Sequence, residues 1–270
     1  DGAPCAYRAC YADGHLVAAR PGEAAEPKPC AGTRGTQIVV EDMFYNAPTR
    51  RKAMKGAGEE YGKLLQVVQS YAVDNPGVAF SCKKAGESAA DLHTAREHGT
   101  RDTLRQTQGA ALAKELLEVD GADAELGLAV KGQVTGANWA AKKPHFLLFI
   151  NKRLVESSSL KRALDDVYAT MLPKGAHPFV YLSLRLPPAA LDVNVHPTKR
   201  EVFFLHQERL VAAVQAIVRE KLRGANEARS FLSQAVLPGM VAGARDGTGS
   251  GGGGAAADGG AAAAEPGRGG

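Results

Sequence analysis

The chain holds a single tryptophan and only 6% aromatic residues. Any core it buries must therefore be built mainly from Val, Leu, Ile and Ala, and few rings are left over to read nucleic-acid sequence by base stacking. Cysteine is sparse as well. Cys5, Cys10, Cys30 and Cys82 form no C-x-x-C pair and no zinc-knuckle spacing, so no metal site is signalled, and unpaired thiols suit a reducing compartment. Apolar runs long enough to cross a bilayer are missing, since the stretch Phe146 to Ile150 is only strand-sized; a membrane is not among the expected partners. A phosphate-binding P-loop, G-x-x-x-x-G-K-[ST], occurs nowhere. Neither sign of charge dominates: 33 Lys and Arg against 29 Asp and Glu leave +4. The resulting pI of about 8.8 is compatible with a phosphate-rich partner without demanding one. The chain opens Asp1-Gly2, without Met or a signal-peptide pattern, and reads as an internal start.

What is present suffices for one large domain or two ordinary ones: 270 residues, 44% of them hydrophobic. The periodicity predicts an opening hairpin, with Ala6 to Tyr11 turning at Asp13-Gly14 into His15 to Ala19. A loop over 20–35, rich in Pro, Gly and Glu, and a strand over Gln37 to Asp42 come next. Glu59 to Val73 reads as a helix whose apolar face is Tyr61, Leu64, Leu65, Val68 and Tyr71, stopped by Asp74-Asn75-Pro76-Gly77. Val78 to Cys82 reads as a strand, and polar Arg96 to Arg105 as a domain junction. Beyond it we expect a helix over Ala110 to Leu117 and strands at Leu126 to Ala129, Gln133 to Thr135, Phe146 to Ile150 and Phe179 to Leu186. A helix capped by Ser159 runs to about Met171, and another from Glu208 to Leu222 ends before Gly224. Residues 242–270 are nearly all Gly and Ala. They cannot bury enough apolar surface to offset the entropy of ordering, so a disordered tail is expected from about 240. Strands and helices without a regular βαβ repeat point to an α+β fold in two modules.

Two stretches concentrate the chemistry. In Gly35-Thr36-Gln37-Ile38-Val39-Val40, a glycine that lets a ligand approach the backbone precedes a short hydroxyl and a strand. Downstream, Arg50-Arg51-Lys52 forms a positive cluster. In Asp192-Val193-Asn194-Val195-His196-Pro197-Thr198-Lys199-Arg200, Val193 and Val195 face one way and Asp192 and Asn194 the other. Pro197 stiffens a turn from which Lys199 projects, and a fixed ammonium suits a terminal phosphate. Phe149-Ile150-Asn151-Lys152-Arg153-Leu154-Val155 precedes it. A solvated surface charge is the plainer reading of any one of these lysines, and a structural role that of His196.

Taken together, "GTQIVVEDMFYNAPTRRKAM", "FINKRLV" and "DVNVHPTKREV" resemble, in order, signature segments of the MutL family of DNA mismatch-repair proteins. "TRRKA" and "EEYGK" resemble its eukaryotic MutL homologue one branch. The resemblance runs from the N-terminus to about Gly239. It implies the C-terminal part of a GHKL-type ATPase α/β sandwich over 1–98 and a second domain of ribosomal-protein type (left-handed βαβ) over 99–226. A linker over 227–270 would follow. It implies ATP binding at Gly35, Thr36 and Lys199, the last reaching the γ-phosphate. The family's catalytic Glu, its Mg²⁺-holding Asn and an Asp-Gly-x-Gly adenine turn are expected upstream of Asp1. ATP and Mg²⁺ are thus expected in the intact protein and not for this chain alone, which we expect to be inactive as an ATPase. The resemblance further implies DNA binding without sequence readout. Its candidates are Arg50, Arg51, Lys142, Lys143, Lys152, Arg153, Lys161 and Arg162. A PMS-type heterodimer partner, MutS-type mismatch sensors and a nuclear location are implied too. Alternatives are another enzyme of the same ATPase class, such as a topoisomerase subunit, and a non-catalytic basic DNA- or partner-binding module.

Overall fold

In the computed structural model, residues 5–192 and 202–234 are described, with side chains described to 227. Contacts divide the chain into two compact units: Asp1–Gln69 with Ser81–His93, and Ser70–Phe80 with Thr94–Gly270.

The first unit is built from short pieces. Strands β1 (Ala6–Arg8), β2 (Cys10–Ala12), β3 (His15–Val17) and β4 (Lys28–Cys30) come first. The hairpin β2–β3 forms at the expected turn, where Asp13 and Gly14 both take positive φ, 51° and 81°, as a type I′ turn requires. The rest of the opening differs. Ala6–Arg8 pairs with Lys28–Cys30, so the expected loop over 20–35 contains a strand. Its alternation is hidden by Pro27 and Pro29, which an edge strand tolerates. Gln37 to Asp42 is not a strand: Ile38, Val39 and Val40 are 81%, 69% and 72% exposed. Its β-branched residues have the propensity, but a strand exists only where a ladder partner is supplied, and none of the described strands pairs with it. Helix α1 (Pro48–Ala53) begins with a proline in its first turn, where no N–H is missed. Helix α2 (Ala57–Asp74) has Glu59 and Glu60 in its first turn, favoured by the helix dipole. Of its expected face, Leu64 is 62% exposed. The expected strand over Val78 to Cys82 shrinks to β5 (Ser81–Cys82), paired with β6 (Leu92–His93). Asn75-Pro76-Gly77 delays the start of pairing.

The second unit is organised by a mixed five-stranded sheet of order β10-β9-β11-β8-β7. Helix α3 (Thr100–Gln108) occupies the stretch expected to be a polar junction. Its polarity lies mostly on the solvent side: Leu104 is buried, together with Thr103. Helix α4 (Ala110–Glu115) gives way at Leu116 to β7 (Leu116–Asp123), a strand absent from our sequence reading because Glu118, Asp120 and Asp123 mask it. Leu116 and Val119, on opposite faces of the strand, are buried in the two core clusters, while Glu118 and Asp120 are exposed. The two short strands expected near 126–135 are one, β8 (Leu128–Thr135). Strand β9 (His145–Ile150) turns into β10 (Arg153–Val155), helix α5 (Ser158–Tyr168) follows, and β11 (Phe179–Arg185) returns parallel to β9 and antiparallel to β8. Ser157, not Ser159, caps α5, accepting the Leu160 N–H at 3.3 Å. Leu191–Asp192 (β12) pairs with Phe203–Phe204 (β13), and α6 (Gln207–Gln234) runs well past the expected end at Leu222. A single Gly224 does not outweigh the helix formers around it, Ala225, Glu227 and Ala228.

Both faces of the sheet are covered. Val130, Val134, Leu148, Leu182 and Leu184 meet Leu160 and Leu164 of α5 and Leu210, Val214 and Val218 of α6. On the other face Phe149, Phe179 and Tyr181 meet Val73 at the end of α2, Leu104 of α3 and Leu112 of α4.

Candidate functional site

Gly35 lies in the first unit with φ 140° and open space where a Cβ would stand; Thr36 beside it is exposed. Neither lines either of the two clefts described below, and no group of three His, Cys, Asp or Glu able to hold a cation occurs among the described residues. The pair is accessible, and neither of these two clefts fits a nucleotide held by Gly35 and Thr36. Lys199 lies outside the described residues. In the tail, Asp246-Gly247-Thr248-Gly249 matches Asp-Gly-x-Gly in letters, though it follows Gly35 in the chain instead of preceding it.

Of the basic candidates, Arg50 and Arg51 are exposed on α1, the Arg50 guanidinium 5.9 Å from the centroid of Phe44. The others lie in the second unit. Lys142 and Lys143 are exposed on the loop before β9, which the Ala141–His177 bridge pins. Lys161 and Arg162 are exposed on the first turns of α5. The fold brings the loop and the helix together: Lys161 shares a small cleft with Pro144, His145 and Phe146. Arg153, exposed on the edge strand β10, lines a different cleft of about 270 Å³ with Ile150, Val155, Pro188, Leu191 and Val202. None of Lys142, Lys143, Arg153, Lys161 and Arg162 has a carboxylate partner among the described residues.

Lys152 is different. With Asn151 it forms the β9–β10 turn, and both take positive φ, 48° and 68°. Lysine in this region costs about 1 kcal/mol, and side-chain bonds offset it. Asn151 donates from Nδ2 to the Leu186 carbonyl at 2.9 Å and accepts the Leu186 N–H at 3.0 Å. Lys152 Nζ donates to the Asp74 carbonyl at 2.6 Å and lies 3.1 Å from Asp74 Oδ2. The second contact is an ion pair away from hydrogen-bond alignment. Asp74 is 1% exposed, and its Oδ1 accepts from the Tyr181 hydroxyl at 2.9 Å. Burial, then the charge of Asp74, pushes the Tyr181 phenol above its ordinary range. Asp74 and Tyr181 were missed from sequence: Asp74 stood in a helix-stop string, and Tyr181 looked like any alternating strand residue.

Comparison with known proteins bears on the whole. Residues 104–223 match the family model described as "DNA mismatch repair protein, C-terminal domain". The DNA mismatch repair protein Mlh1 of Dictyostelium discoideum is 38% identical over 262 residues, covering 87% of this chain and 30% of its own length. MLH1 of Saccharomyces cerevisiae is 39% identical over 235 residues, covering 86% of this chain and 30% of its own. The chain thus spans 30% of the length of these relatives. A crystal structure of the N-terminal domain of a DNA repair protein superposes with a TM-score of 0.56 at 25% identity, over 72% of this chain and 61% of that one. With an α+β fold, the three signature strings and relatives of this identity across most of its length, the chain belongs to the MutL family of DNA mismatch-repair proteins.

Proposed function

We propose that the chain is the part of a MutL-type mismatch-repair mediator that joins an ATPase module to DNA. In this reading residues 1–98 belong to a GHKL-type ATPase sandwich, and 99–226 form the second, ribosomal-protein-type domain, with α6 running on to Gln234 before the linker. Gly35, Thr36 and Lys199 serve ATP in the longer protein. The nucleotide's contact with Lys199 gives the second domain an interaction that differs between ATP and ADP, as any nucleotide-driven switch requires. When bound, Mg²⁺ would neutralise the phosphates. A PMS-type subunit, MutS-type mismatch sensors and a nuclear setting complete the reading.

For DNA the supporting observation is local. Lys142, Lys143, Lys161 and Arg162 are exposed, lack carboxylate partners among the described residues, and come from two elements that meet at one shallow cleft. Charges so arranged suit phosphates, whose contacts release counterions and make affinity fall steeply with salt. Aromatic side chains are too few for base readout, so binding should be indifferent to sequence. The test is fluorescence anisotropy with duplex and single-stranded oligonucleotides over a salt series. Lys161→Glu with Arg162→Glu should weaken binding and flatten the log–log salt slope by about two. An unchanged slope would strike both residues from the DNA surface.

A further inference from the structure

The last turn of α2 is held by side chains from elsewhere in its own unit. The Val73 carbonyl accepts from Thr100 Oγ1 at 3.2 Å, the Asp74 carbonyl from Lys152 Nζ at 2.6 Å, and the Tyr71 carbonyl from Asn75 Nδ2 at 2.8 Å. Those of Val73 and Asp74 are among the carbonyls that a helix end leaves without partners, whereas the Tyr71 carbonyl also accepts the Asn75 N–H at 3.1 Å. Around them Tyr71 meets Phe149 edge-on with ring centroids 5.4 Å apart, and Phe149 meets Tyr181 at 6.3 Å. Into this apolar setting α2 sends one carboxylate. The Asp74 side chain is 0% exposed and that of Lys152 51%. Tyr181 supplies a neutral donor to Oδ1. Lys152 supplies the cation at Oδ2, where no aligned hydrogen bond is made.

The geometry points to Lys152 as a positioning residue. It is the counter-ion of buried Asp74, fastening Ser70–Phe80 to the five-stranded sheet, and it is not a phosphate contact. Its turn conformation fits that task. The left-handed backbone at Asn151 and Lys152 aims the one side chain at Leu186 and the other at Asp74, so the hairpin is tied at both sides of its tip. A lysine at a helix C-terminus also meets the negative end of the dipole. The inequality in burial carries a specific consequence. Removing the cation strands a charge inside the protein, whereas removing the carboxylate leaves an ammonium that water can solvate. A lysine serving DNA would show no such asymmetry.

The inference is independent of the mismatch-repair reading, because its main readout needs no nucleic acid. Hydrogen exchange would be followed at the amides of 71–78 in the 270-residue chain carrying Lys152→Met, Asp74→Asn, or both. We expect Lys152→Met to lower protection there at least tenfold, Asp74→Asn to lower it less than threefold, and the double variant to return to the level of Asp74→Asn. Recovery in the double variant is a charge-specific signature that lost packing alone would not give. Protection unchanged in Lys152→Met, or a loss in Asp74→Asn as large as in Lys152→Met, overturns the assignment. Should Lys152→Met fail to fold, the double variant decides: a protected segment supports the pairing, an unprotected one overturns it. In parallel the DNA salt slope of the double variant should equal that of the unmodified chain, and a slope flattened by about one would return Lys152 to the phosphate-binding set.

Discussion

At Gly132 a single hydrogen atom is all the sheet admits. A Cβ built there would stand 2.2 Å from the Tyr181 carbonyl oxygen and 2.7 Å from Leu182 Cδ2. The first of these is backbone and cannot swing away, so Gly132→Ala must push β8 off β11. We expect a loss of about 1–3 kcal/mol, typical of overpacking, seen as a lower urea midpoint at unchanged m-value. Gly121 presents the milder case, since its Cβ would meet only the side chain of Ile217. Neither constraint was visible in the sequence, where Gly121 and Gly132 both fall outside the expected strands. The same holds for Asp74. A carboxylate in a helix-stop string is an everyday residue until the fold buries it, and only then do Lys152 and Tyr181 become its necessary partners.

At the scale of the element, agreement between sequence and structure follows how local each signal is. The turn Asp13-Gly14 needs nothing but its own backbone preferences, and it forms where expected. Helix α2 stops where Asn75-Pro76-Gly77 denies it further hydrogen bonds. Strand β7 escaped notice because an edge strand carries polar residues on the side that faces water. Gln37 to Asp42 errs in the opposite direction, a stretch with strand composition whose N–H and C=O groups have no ladder partner among the described strands. Helix α5 offers a test of a local signal. Its N-terminus rests on Ser157, whose hydroxyl also lies 3.0 Å from that of Ser159. Ser157→Ala should lower stability by about 1 kcal/mol, and Ser159→Ala by clearly less. Equal losses would show that the two hydroxyls share the cap.

For the molecule as a whole, the buried phenols set the response to alkali. Burial pushes Tyr168 above its ordinary range, and its hydroxyl donates to the Thr135 carbonyl at 2.7 Å. Tyr181 is raised by burial and by Asp74. A raised folded-state pKa means that the protonated phenol is favoured by folding. This stabilisation is complete below the unfolded value of about 10 and is lost as pH rises past it, because the unfolded chain gives up protons that the folded chain retains. Stability should be level from pH 8 to about 9.5 and fall above about 10, measured by circular dichroism in a urea series. Tyr168→Phe should lower the plateau and make the alkaline fall shallower; a fall of the same steepness would mean that Tyr168 titrates equally in both states.

The sequence by itself determined the family, because the strings around Gly35, Asn151 and Lys199 are too long and too ordered to need a structure behind them. It also determined the α+β character, several turns and most helices, all of which depend on residues near one another in the chain. The tertiary structure alone decided which strands find partners, since pairing joins Ala6–Arg8 to Lys28–Cys30 and β9 to β11 across long loops. It likewise decided which of the basic side chains stay free. Lys142, Lys143, Lys161 and Arg162 remain exposed, without a carboxylate partner among the described residues, while Lys152, indistinguishable from them as a letter, is committed to Asp74, 78 residues away. The physical reason is that a charge acquires its role from the burial and the partners that surround it, and both are set by chain segments that sequence spacing does not bring together.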